Sequence, residues 1–155
     1  NTKLIIYSTD DVKIILNYLD KYNLSKSNYE IYNLDHKNIS SYLEKIDFGI
    51  FYLKNNDSIK ASFPTKIGEY LSSNIPILCN DFNEDIKKLL SNEKIGLISD
   101  FTDNNDIRNM YNKINKIHKH NAKNFYAREI AENYFNQKNA KEKYLKIYES
   151  LIEQH

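Results

Sequence analysis

Several short runs of this chain are apolar at nearly every position. They are Leu4-Ile5-Ile6, Phe48-Gly49-Ile50-Phe51-Tyr52-Leu53, Ile75-Pro76-Ile77-Leu78-Cys79 and Ile95-Gly96-Leu97-Ile98. A strand with one wet face alternates apolar and polar residues, whereas a run apolar at both parities belongs to a strand covered on both sides. The stretches between these runs repeat apolar residues every three or four positions, which is helical spacing. Strand and helix in alternation predict an α/β fold, a Rossmann-like three-layer domain with a mostly parallel sheet of about five strands. Extra helices follow at the C-terminal end, and residues 1–155 read as a single domain with no internal linker.

Placed along the chain, the first strand covers 3–7 and the second 29–34, the run Tyr-Glu-Ile-Tyr-Asn-Leu. Thr9, Asp10 and Asp11 can cap a helix whose apolar face is Val12, Ile15, Leu16, Leu19 and Tyr22. A short helix is marked by Ile39, Tyr42, Leu43 and Ile46, the third strand spans 48–53, and 54–63 reads as a long polar loop. Pro64 suits the first turn of a helix that buries Ile67, Tyr70 and Leu71. A strand at 75–79, a helix at 81–91 and a strand at 95–98 follow, then helices at 104–119, 122–132 and 138–152. Tyr22, Tyr42, Tyr70, Tyr144 and Tyr148 stand at core-face spacings and read as packing residues. Cys79 reads as a small buried residue.

Charge narrows the function classes. Lys plus Arg is 22 against Asp plus Glu 21, a formal net charge of +1, which argues against a nucleic-acid partner bound by phosphate neutralisation. One cysteine excludes an internal disulfide framework and a cysteine-only zinc site. No apolar stretch approaches about 18 residues, the least that spans a bilayer. His118 and His120, two apart, do not share a helical face and favour a helix end over a metal site. The chain opens on Asn1 and its single methionine is Met110, so it reads as a processed product or a piece of a longer protein.

In open parallel α/β sheets, ligands bind beyond the carboxyl ends of the strands. That selects the loops at 8–11, 35–38, 54–65 and 80–84. The third is the longest and runs into a helix N-terminus, where backbone N–H groups and the helix dipole favour an anion and Lys60 or Lys66 can add a cation. Neither G-x-G-x-x-G nor a Walker A pattern occurs.

The segment Ala61-Ser62-Phe63-Pro64-Thr65-Lys66-Ile67-Gly68-Glu69-Tyr70-Leu71-Ser72-Ser73-Asn74-Ile75-Pro76-Ile77-Leu78 resembles the S-x-P-T-K-x-x-E-Y-L-(small)-x-G-x-P-(apolar) segment of GT-B fold glycosyltransferases. The likeness is to glycosyltransferase family 4 and the related bacterial capsule enzymes. Leu43-Glu44-Lys45-Ile46-Asp47-Phe48-Gly49-Ile50 is similar to the L-x-x-x-D-(apolar)-G-(apolar) strand that precedes it, and 128–135 with 144–148 to the C-terminal helices. The resemblance implies a parent of two Rossmann-like domains. This chain would be the C-terminal one, which binds a UDP- or GDP-linked sugar for transfer to a glycan or lipid-linked acceptor in polysaccharide synthesis.

By the same resemblance, Glu69 bonds the ribose hydroxyls, a task that suits a carboxylate because it accepts from both. Ser62, Pro64 and Thr65 form the helix start facing the diphosphate or sugar, and Lys66 meets phosphate. His36, Asn38 and Ile39 lie in the loop against the base. No catalytic residue is assigned, and neither a metal nor another cofactor is expected. The parent would work in the cytoplasm, associated peripherally with the inner face of a membrane. Two departures stand out. The partner of the usual second glutamate falls on Ala61, and the usual first βα unit, with its phosphate-clamping cations, is missing along with the N-terminal domain. The chain alone is therefore not expected to transfer sugar, and its bared sheet edge invites a homodimer.

Two readings from another class stay open. Asp10 and Asp11 after the first strand suit a phospho-acceptor receiver domain, although Asp57 falls several residues beyond the third strand. A noncatalytic protein-binding α/β module also fits the pattern.

Overall fold

The computed structural model describes residues 2–33, 39–54, 56–91, 94–100, 104–124 and 126–153. The chain divides into two compact units, Asn1–Glu44 and Lys45–His155.

In the first unit, strand β1 (Leu4–Tyr7) is followed by helix α1 (Val12–Lys21), a 3-10 turn at Lys26–Asn28, strand β2 (Tyr29–Tyr32) and helix α2 (Ile39–Leu43). β1 and β2 are parallel, in register from Leu4 against Tyr29 to Tyr7 against Tyr32. Asp11 caps α1 as the sequence suggests, its carboxylate accepting from the Lys13 amide at 2.9 Å. Ile15, Leu16 and Leu19 are half-buried, but Val12 and Tyr22 at the ends of the expected face are exposed. At the carboxyl ends of both strands, the rings of Tyr7 and Tyr32 meet that of Tyr42, with centroid separations of 5.6 to 5.8 Å among the three.

The second unit runs β3 (Gly49–Phe51), α3 (Asp57–Lys60), α4 (Thr65–Ser72), β4 (Ile77–Cys79), α5 (Glu84–Leu90), β5 (Gly96–Ile98), α6 (Asn104–Asn124), α7 (Tyr126–Tyr134) and α8 (Gln137–Ile152). Its sheet has the order β3-β4-β5, with both pairings parallel. One face carries Ile77 and Cys79 under α4 and α5, which contribute Ile67, Leu71, Ile86 and Leu90. The other carries Leu78 and Leu97 under α6, through Met110, Ile114 and Ile117. Apolar side chains at both parities thus find cover, as the uniform runs require.

The α/β class and the parallel pairing agree with the sequence. The expected sheet of about five strands is seen, among the described residues, as two smaller sheets: β1 pairs with β2 in the first unit, and β3, β4 and β5 pair in the second. The polar loop at 54–63 contains α3, whose start is capped by Asn56 accepting from the Ile59 amide at 2.8 Å. The break expected near 120 is absent, and α6 continues to Asn124, because no glycine or proline interrupts it. Tyr144 and Tyr148 lie on the outside, since no face of α8 is buried.

Candidate functional site

Two of the four candidate loops are brought together by asparagines. Asn80 directly follows β4 and is buried. Its Nδ2 donates to the Leu53 carbonyl at 2.9 Å and its Oδ1 accepts from the Leu53 amide at 2.9 Å. Beyond Phe51, where strand pairing ends, one amide side chain continues the ladder for one more residue. Asn83 repeats the move three residues on. Its Nδ2 donates to the carbonyls of Lys60 at 2.7 Å and Ser62 at 3.1 Å. Its Oδ1 meanwhile caps α5 through the amides of Asp85 and Ile86. The loop at 54–65 is therefore pinned across the carboxyl ends of β3 and β4.

The pinning delivers the start of α4. Ser62 Oγ donates to the Ile59 carbonyl at 2.9 Å, so it closes the turn after α3 and does not cap α4. Pro64 takes the cap position with φ −63° and ψ 126° and offers no side-chain acceptor. Thr65 is the first helical residue and is exposed. The Ile67 amide bonds the Pro64 carbonyl at 3.1 Å, while those of Thr65 and Lys66 have no bond among the described residues. An uncapped helix start with two open N–H groups is an anion seat. Lys66 and Glu69 are exposed and three residues apart, which puts them on one face. Neither side chain has an ion pair among the described residues.

Ser62, Pro64, Thr65, Lys66 and Glu69 thus share one segment at the strand ends. Ile39 opens α2 in the other unit and is half-buried. His36 and Asn38 lie outside the described residues. Asp57 stands in the first turn of α3, 3.1 Å from Lys60 Nζ, and not at the end of β3 where a receiver domain holds its acceptor. His118 approaches Asp47 at 3.6 Å. Among the described residues no three His, Cys, Asp or Glu side chains cluster as metal ligands, and no helix is long and apolar enough to cross a membrane.

Beside the α4 start lies a cleft of about 400 Å³ lined by Lys60, Asp81, Phe82, Asn83, Glu84 and Asp85. Three carboxylates against one ammonium make it a poor place for a diphosphate. Asp81 is also engaged by Lys87 at 2.6 Å, a bond that raises the Lys87 pKa. At the end of β4, burial above all, and then Asp81, push the Cys79 thiol up to about 12. Cys79 should therefore resist thiolate-directed reagents at neutral pH. Ellman's reagent is expected to find no reactive thiol in the folded chain and one equivalent once urea unfolds it; rapid labelling without urea would contradict this burial.

The sequence flagged the loop at 80–84 but not Asn80 or Asn83 as its working parts. For Asn83 a signal existed, because Asn before Glu84-Asp85 is a helix-start pattern. The chain matches no family model, no curated protein and no solved structure.

Proposed function

We propose that this chain is the donor domain of a GT-B type glycosyltransferase, binding a nucleotide-diphosphate sugar at the start of α4. The observation that carries the reading is the uncapped N-terminus of α4 at the carboxyl ends of β3 and β4, with Glu69 exposed one turn along and without an ion pair among the described residues. In this reading the diphosphate takes the amides of Thr65 and Lys66, with the Lys66 ammonium beside it. The Glu69 carboxylate accepts from the two ribose hydroxyls. The nucleotide diphosphate is the leaving group, so the helix dipole and N–H groups act by stabilising the charge that departs with it. No residue of this chain is proposed to attack the sugar. The acceptor belongs to the other domain of the parent, in polysaccharide synthesis at the cytoplasmic side of a membrane, and the isolated chain does not transfer sugar.

Amide NMR with UDP and GDP in the millimolar range tests the reading. Shifts are expected at 62–69, and Glu69→Gln should weaken binding on the order of ten- to a hundredfold, the scale of a lost charge-assisted hydrogen bond. Unchanged affinity in Glu69→Gln, or shifts centred on the acidic cleft, would sink it.

A further inference from the structure

Every residue of α8 from Gln137 to Ile152 is exposed. Yet six of its last nine residues are large and apolar: Tyr144, Leu145, Ile147, Tyr148, Leu151 and Ile152, each between 48% and 75% exposed. A contiguous apolar patch of this kind marks a contact surface. At about 100° per residue, the six cover roughly 160° of the helix circumference, centred between Tyr144 and Tyr148. The charges are sorted around that centre. Glu142, Glu149 and Glu153 all fall on the far side, about 120° or more away, with Lys146 beside them. Lys138 and Lys143 flank the apolar sector on its two sides, and Lys141 stands within it, one turn before Leu145.

Lys141 decides what covers this face. A cation enclosed in an apolar contact needs an anion from the partner. A second copy of the face supplies none, because it brings Lys141 again and no acid. The exposed apolar stripe of the first unit, Ile14, Tyr18 and Tyr22 on α1, carries Lys21 in its middle, 5.8 Å over the Tyr22 ring. On the β1–β2 sheet Glu30 is already engaged by Lys3 and Tyr32. Neither surface of the first unit offers the face a free acid. A lipid surface with anionic headgroups meets both demands. Apolar side chains enter the acyl boundary, tyrosine keeps its hydroxyl among the headgroups, and lysine snorkels to phosphate. We infer that α8 is an interfacial helix that lies along an anionic lipid surface, with Tyr144, Ile147, Tyr148 and Leu151 inward and Lys138, Lys141 and Lys143 at the headgroups. It lies on the bilayer and does not cross it. The proposed function sets the parent beside a membrane without naming the element that touches it; α8 is argued from its own residues and stands without a nucleotide site.

The chain has no tryptophan, so Tyr148→Trp supplies a single fluorescent reporter on the face. With vesicles of phosphatidylcholine holding about a third phosphatidylglycerol, its emission should move to the blue and the chain should sediment with the lipid; phosphatidylcholine alone should bind at least about tenfold more weakly. Lys141→Gln combined with Lys143→Gln should weaken binding to the anionic vesicles about thirtyfold, near fivefold per lysine. Ile147→Asp should weaken it by more than about tenfold. These side chains are exposed, so the urea midpoint should stay in place in both variants, which separates lost binding from lost fold. Nucleotide shifts at 62–69 are read without lipid, so either result can fail alone. Absence of binding to the anionic vesicles, equal binding to phosphatidylcholine, or binding that survives Ile147→Asp overturns the inference. So does a blue shift that grows with protein concentration in the absence of lipid, which would make a second copy the occupant. A urea midpoint lowered by Ile147→Asp overturns it too, because the face would then be packed within the chain.

Discussion

Urea unfolding of an Asn80→Ala variant is expected to show a loss of about 3 kcal/mol. Asn80 is the one buried polar side chain among the described residues, and it satisfies both the N–H and the C=O of Leu53. Alanine leaves those two backbone groups without partners, and each unmet group costs about 1–3 kcal/mol where water is excluded. Leu53 is only partly buried, so water recovers some of this and the sum falls short of the maximum. The same change should free the loop at 54–62, with faster amide exchange at Leu53 and Ile59. If the hypothesis about the α4 start holds, nucleotide affinity should fall too, although Asn80 touches no ligand. A loss below about 1 kcal/mol, with the loop still protected, would show that strand pairing and Asn83 hold it unaided.

Gly49→Ala is expected to cost about as much, through crowding. A Cβ built on Gly49 stands 2.6 Å from Cγ of Tyr70 and 2.7 and 2.8 Å from its two Cδ atoms. These atoms are at the root of the ring, so a small rotation of the side chain does not clear them, and β3 or α4 must shift. Overpacking of this kind costs about 1–3 kcal/mol and at times more. The cause can be isolated by a double-mutant cycle. In a Tyr70→Ala background the increment from Gly49→Ala should drop below about 1 kcal/mol, giving a coupling of about 2 kcal/mol. Equal increments in both backgrounds would place the strain elsewhere. The contact also joins two stretches singled out by resemblance, the Asp47-Phe48-Gly49 strand and the Glu69-Tyr70-Leu71 helix, and supplies a packing reason for two of their residues.

What could be read in the sequence follows from how many residues carry each signal. Strands β3, β4 and β5 were legible because uniformly apolar runs leave no other covered structure of that length. Ile67 and Leu71 were legible through helical spacing, and both are buried. Helix α3 was not, because its four residues include one apolar side chain, Ile59, too few to show a period. The tyrosines of α8 misled for the opposite reason. Tyr144, Ile147, Tyr148 and Leu151 keep a core-like spacing, yet they are exposed, and periodicity reports a face without reporting what it meets. Within the site, the α4 start could be read from Pro64. The clamp of Asn80 and Asn83 could not, because asparagine is so frequent here that no single one stands out. The division of the strands into two sheets depends on pairing partners, which no local pattern encodes.

Asn74 shows how much can rest on one ordinary residue. It ends α4 with φ 60°, the left-handed conformation that glycine adopts without strain and asparagine tolerates, and the resembled segment has glycine there. Its Oδ1 also accepts from the Arg128 amide at 3.3 Å, in the first turn of α7. A glycine would relax the backbone but abandon that amide; a serine or lysine would meet the backbone demand badly. Mutational drift at this position is therefore confined to a narrow corridor, with aspartate the nearest neighbour able to do both jobs. Lineages carrying glycine here would leave the exposed Arg128 amide to water, giving up the tie between the end of α4 and α7 in return for an unstrained turn.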